Sequence, residues 1–178
     1  KAVNECAVEE TRNIASGWAV LAREHFPEHS ERVARKVFDT YPELPSAQEL
    51  YAVAPDKAES AAHIQHTLED KPWDLVMFQH LCLEDPGLAW RTVAKAGMEQ
   101  SMAQRFLDDL PEQALPFVRE DVATYLDSTR VGRDMGIELL QAMRKKSAEL
   151  GEPWDADFNA FLADLRRRYT ERHVILRR

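Results

Sequence analysis

The sequence predicts an all-α protein, and three observations carry that prediction. Apolar residues recur three and four positions apart along nearly the whole chain, which places them on one face of a helix. No segment alternates apolar and polar side chains as a half-buried strand would. The 178 residues include only six glycines, and scarcity of the residue that supplies positive-φ turns favours helices joined by short connections.

The elements follow in order. Residues 3–24 read as a first helix, with Ala7, Ile14, Trp18 and Leu21 on one stripe. Pro27 biases Phe26 away from helical geometry and separates this helix from a second, from about Glu28 to Thr40. That second helix places Val33, Val37 and Tyr41 four apart, with Ala34 and Phe38 beside them; Pro42 and Pro45 end it. Ser46-Ala-Gln-Glu49 reads as a capping box opening a short helix to about Val53, closed by Pro55. Asp56-Lys-Ala-Glu59 repeats the signal and opens a helix to about Glu69. Pro72 starts the next in its first turn, where its missing N–H costs nothing. From there to Leu83 the chain is apolar on most sides, the pattern of a buried central helix.

Asp85-Pro-Gly87 turns into a helix carrying Leu88, Trp90 and Val93, stopped by Gly97. Met98, Met102, Phe106 and Leu110 mark another, closed by Pro111. Leu115, Val118, Val122, Tyr125 and Leu126 keep helical spacing up to Ser128, but Pro116 should kink or split that element. Val131, Met135, Leu139, Met143 and Leu150 form the stripe of a long helix from about Thr129 to Leu150, and Gly151-Glu-Pro153 stops it. The closing helix starts at Trp154; its Trp154, Phe158, Phe161, Leu162, Leu165 and Tyr169 should face the preceding helix around Leu139 and Met143. Trp18, Trp73, Trp90 and Trp154 are expected to be packing anchors.

Nine or ten helices with short loops make consecutive helices antiparallel neighbours. The expected architecture is stacked antiparallel helix hairpins in a single domain, residues 1–178, as a tetratricopeptide-like (TPR-like) α-solenoid or an orthogonal helical bundle. No strict internal period is present.

A net charge of −8 opposes general attraction to nucleic acid and anionic membranes. No stretch reaches the roughly 20 apolar residues needed to cross a bilayer, and the N-terminus lacks the layout of a signal peptide. Cys6 and Cys82 read as buried free thiols of a reducing, cytoplasmic compartment. With no initiator Met and a start inside a helix, the chain is expected to be a trimmed or excised piece.

Few residues carry a chemical signal. Glu59, His63 and His66 lie one turn apart on one helix and have the side chains of a zinc or iron site, but two surface histidines are the plainer reading. His80 and Cys82 are too close in sequence to face each other as a nucleophile pair, so His80 is expected in the core, bonded to a backbone carbonyl. Asp108-Asp109 and Glu120-Asp121 have the form of paired carboxylates, yet both lie next to helix ends, where solvated carboxylates commonly sit. Phosphate loops, nucleophile elbows and Cys/His zinc patterns are missing, and neither a catalytic set, a metal site nor a cofactor is expected. Six arginines against one glutamate make Arg166–Arg178 +5, leaving −13 for the other 165 residues. Arg166, Arg167, Arg168 and Arg172 are therefore read first as counter-charges for an acidic body, and second as contacts for an anion or a partner.

The run Trp154…Phe158…Phe161-Leu-Ala-Asp-Leu-Arg-Arg-Arg-Tyr169…Arg172…Leu176-Arg-Arg resembles the closing helix of the helical region in bacterial SWIM zinc-finger proteins and related uncharacterised families. Val122-Ala-Thr-Tyr-Leu126 and Gly151-Glu-Pro153 precede it in the same order, so the likeness covers residues 122–178. It implies a degenerate TPR-like scaffold used for binding. The zinc module of that family lies outside this region, and neither zinc nor DNA binding carries over. The expected function is a non-catalytic scaffold for a protein partner, with no membrane or nucleic-acid role. The alternatives are a metal-dependent hydrolase using His63, His66 and Glu59, or a nucleic-acid-associated regulator using the C-terminal arginines.

Overall fold

Apolar spacing of three and four becomes helix throughout the computed structural model, which describes residues 17–169. Among the described residues there are ten helices and no strand: α1 (residues 17–25), α2 (Pro27–Thr40), α3 (Leu44–Val53), α4 (Lys57–Thr67), α5 (Pro72–Leu81), α6 (Pro86–Ala96), α7 (Glu99–Phe106), α8 (Pro111–Leu126), α9 (Arg130–Leu150) and α10 (Trp154–Tyr169). Pro27, Pro72, Pro86 and Pro111 each occupy the first residue of a helix, where the absent N–H leaves no bond unmade. Asp56 and Asp85 accept from the N–H groups of Glu59 and Leu88, at 2.9 and 2.8 Å, and so satisfy free donors at two helix starts. The chain divides after Ala96 into two compact units, and the second begins at Gly97, whose φ of +64° suits glycine.

In the first unit α5 is the centre. Its Val76 and Phe78 are fully buried and Leu75 and Met77 nearly so, as the all-round apolar sequence predicts. Phe78 joins Phe38, Leu50, Ile64 and Leu68 in one cluster, and the Tyr51 ring meets it edge-on. α3 packs on α2, α4 and α5, and α6 packs on α5. One buried polar group crosses this core. Gln79 donates to Gln65 Oε1 at 3.1 Å and accepts from Thr92 Oγ1 at 2.8 Å, tying α5 to α4 and α6. Full burial of a Leu or Phe contributes about 1.5–3 kcal/mol each, so the apolar cluster sets the stability and Gln79 sets the register.

In the second unit α8 lies against α7 and α9, and α10 packs on α9. The α8–α9 approach is close because α9 turns Gly132 and Gly136 towards α8. A Cβ at Gly136 would lie 3.2 Å from both Tyr125 Cβ and Leu126 Cδ2. Phe158, Phe161, Leu165 and Tyr169 of α10 are buried, and Trp154 and Leu162 half-buried.

Four expectations need correction. The first half of the α9 stripe is displaced: Val131 and Met135 are exposed while Gly132 and Gly136 face inward, because the glycines permit a closer approach than side chains would; further on, Met143 of the expected stripe is buried, with Ser147 beside it. Trp18 and Trp73 are exposed rather than packing anchors; α1 instead buries Ala19 and Ala22. Pro116 does not split α8, which continues through it as one helix. The capping box at α3 pairs Glu43 with Ser46, one turn earlier than Ser46 with Glu49, so the helix begins at Leu44. Cys6 and most of the helix read over 3–24 lie outside the described residues.

Candidate functional site

Glu59, His63 and His66 each have a separate partner. His63 Nε2 lies 2.9 Å from Asp39 Oδ1, and its ring stands edge-on to Phe38, so it ties α4 to α2. Glu59 lies 3.7 Å from Arg35, which also pairs with Glu31 at 3.1 Å. His66 is exposed, 3.6 Å from Glu69. One turn of spacing thus leads to three different neighbours rather than one centre. Among the described residues no group of three or more His, Cys, Asp or Glu is placed to hold a metal ion. His80 is half-buried near the end of α5. Cys82 is a half-buried free thiol; burial pushes it up and Gln48 opposes.

The carboxylate pairs also separate. Asp108 meets Lys146 at 2.9 Å, and Lys146 reaches Glu149 at 3.2 Å. The ammonium beside it holds the Asp108 carboxyl below its ordinary range, and the two carboxylates raise Lys146. Asp121 accepts from the Gln100 and Gln104 amides of α7, at 2.5 and 2.7 Å, which fixes α7 to α8.

Of the closing arginines, Arg167 pairs with Asp164 one turn back and Arg168 reaches the same carboxylate at 3.6 Å. Arg166 is exposed, and Arg172 lies outside the described residues. Tyr169 is buried; desolvation pushes its phenol up, Asp127 adds to this, and Arg168 opposes.

What sequence reasoning missed is a cleft between α8 and α10. Its deeper part is a hollow of about 100 Å³. α8 contributes Leu115, Pro116 and Arg119, α9 contributes Met143 and Ser147, and α10 contributes Trp154, Asp157, Phe158 and Phe161. A wider, shallower hollow of about 360 Å³ adjoins it across Pro116, Arg119 and Phe161, and adds Glu120, Ala123, Asp164 and Arg168. The Arg119 guanidinium stands 4.6 Å over the Phe161 ring, where the two hollows meet. Arg119 makes no ion pair with a described residue, whereas Asp164 is engaged by two arginines. Stacking leaves the edge of the guanidinium fork free to take a carboxylate bidentately.

The fold explains how the cleft forms. Phe158 and Phe161 are one turn apart on the buried side of α10, and the exposed ring of Pro116, inside α8, lines both hollows opposite them. The Phe158/Phe161 spacing and the mid-helix proline are both in the sequence. Arg119 carries no local signal, because only the packing of α8 and α10 brings it over a ring 42 residues away. No helix among the described residues is long and apolar enough to cross a membrane. Comparison with family models, curated proteins and solved structures finds no match.

Proposed function

We propose that the chain is a helical scaffold that binds a partner protein, and that the α8–α10 cleft is where the partner docks. The cleft carries this reading: an apolar floor with a few convergent charged groups is the usual form of a recognition site. The wider hollow falls within the common size range of ligand sites, and the deeper one suits a single anchoring side chain. The resemblance of residues 122–178 to the helical region of SWIM zinc-finger proteins points the same way, towards binding. Glu59, His63 and His66 give less support to a metal-dependent hydrolase, since each is committed to a different neighbour. Arg167 and Arg168, both directed at Asp164, give less support to nucleic-acid binding than free cations would.

A photo-crosslinking residue placed at Pro116, in the cleft, is expected to give a discrete adduct with one protein identifiable by mass spectrometry. The same probe at Lys145, which is exposed on α9, should give none. The Pro116 adduct should disappear when Arg119→Glu reverses the charge. Equal labelling from both positions, or an adduct insensitive to Arg119→Glu, would contradict docking at this cleft. Stoichiometric zinc, iron or manganese in the purified protein would favour the enzymatic alternative.

A further inference from the structure

We propose that the α8–α10 cleft captures the free C-terminus of its partner, ending in an aliphatic residue; this deepens, and rests on, the docking role above. The last residue of a chain presents three groups from one Cα: a carboxylate, a side chain, and the N–H of the final peptide bond. The cleft offers a counterpart to each. Arg119, stacked on Phe161 and without an ion-pair partner among the described residues, takes the carboxylate. The adjoining hollow of about 100 Å³, walled by Leu115, Met143, Phe158 and Phe161, takes the side chain. Its volume equals roughly three waters of liquid, the size class of one aliphatic side chain and too small for a folded element. Asp157, on the wall of the same hollow, accepts the N–H.

An internal residue of a peptide has no carboxylate at that Cα. An acidic side chain would put its own carboxylate where the apolar group must go. The wider hollow then receives the residues upstream. Its Asp164 is already engaged by Arg167 and Arg168, whereas Glu120 has no ion pair among the described residues, so neutral or basic upstream residues fit better than acidic ones.

Short fluorescent peptides with lysine upstream and Leu, Ile or Val at a free C-terminus test this by fluorescence polarisation against the whole chain. Their C-terminal amides and free leucine serve as comparisons. The free acids should bind, and amidation should weaken them roughly tenfold or more, the value of a charge-assisted hydrogen-bond pair. Arg119→Gln, a substitution at an exposed position, should abolish the difference between acid and amide. Amides binding as well as acids, with Arg119→Gln without effect, would overturn C-terminal capture while leaving docking intact. Free leucine competing as well as the peptides would overturn capture in favour of a small-molecule site. If no peptide of either kind binds while the Pro116 crosslink persists, C-terminal capture fails and the scaffold reading stands; loss of both ends both. The comparison of acid with amide needs no variant, so it holds even if Arg119→Gln fails to fold.

Discussion

At the scale of single residues, burial and partner decide what each position is worth. Gln79 is a buried amide joining three helices of the first unit; Gln79→Leu would take the acceptor from Thr92, leaving it the Leu88 carbonyl at 3.4 Å, and the donor from Gln65. Both are half-buried and can recruit water, so the expected loss is about 1–2 kcal/mol by urea denaturation, below a cavity-forming core change. Gly136→Leu forces extra atoms against Tyr125 and Leu126 and should cost about 1–3 kcal/mol by overpacking, read as a lowered Tm. The Asp108–Lys146 pair makes a pH-dependent contribution with a definite sign. Asp108 is lowered on folding, so its contribution is present above the unfolded carboxylate range and lost as pH falls through the folded value. Lys146 is raised, so its contribution is full below the unfolded lysine range and lost as pH rises through the folded value. Lys146→Met should flatten both flanks of the stability–pH curve; unchanged flanks would show that the pair contributes nothing measurable. The effect should be small and weaken with salt, as exposed pairs do.

At the scale of elements, the sequence made the helices legible because their signals are local. Proline at first turns, Asp at N-caps and apolar stripes need no knowledge of the partner, and the boundaries of α2, α4, α5 and α8 follow them closely. Which face is buried is a different matter, since the neighbouring helix decides it. The stripe through Val131, Met135 and Met143 is as regular as the one through Phe158 and Phe161, yet its first two residues face outward and only Met143 is buried. Two glycines one turn apart let α9 approach α8 more closely than the larger residues would. The tryptophans teach the same lesson: size predicts a packing anchor, but Trp73 is nearly half exposed at 47% while Phe78, five residues on, is fully buried. Phe78→Ala should therefore cost about 3–5 kcal/mol, and Trp73→Ala, which removes a side chain only about half buried, roughly half as much, about 1–2 kcal/mol. Chemical denaturation of the two variants side by side checks the contrast, and equal losses would show that exposure does not rank the two positions.

At the scale of the whole molecule, the all-α class follows from the pattern of the entire chain, and along the chain the boundary of the two compact units falls at Gly97, which the sequence marks as a helix stop. The candidate site was much less legible. In the sequence its two phenylalanines read as a packing face, its proline as a kink or split, and Arg119 carries no signal. Residues far apart in sequence form a site only after folding, and the sequence of each helix carries no record of the other. The residues with a recognisable chemical signal, His63, His66 and Glu59, were drawn from one helix for the same reason: local spacing is what a sequence displays.

Docking at the proposed α8–α10 cleft has a spectroscopic signature. Methyl-detected NMR of the intact chain during titration with a free-acid, leucine-ending peptide tests it most directly. Saturable shifts are expected at the methyls of Leu115, Met143 and Ala123, which line the two hollows, while Met77 and Leu75 in the core of the first unit stay unmoved. Shifts at Met77 and Leu75, with the cleft methyls silent, would contradict it.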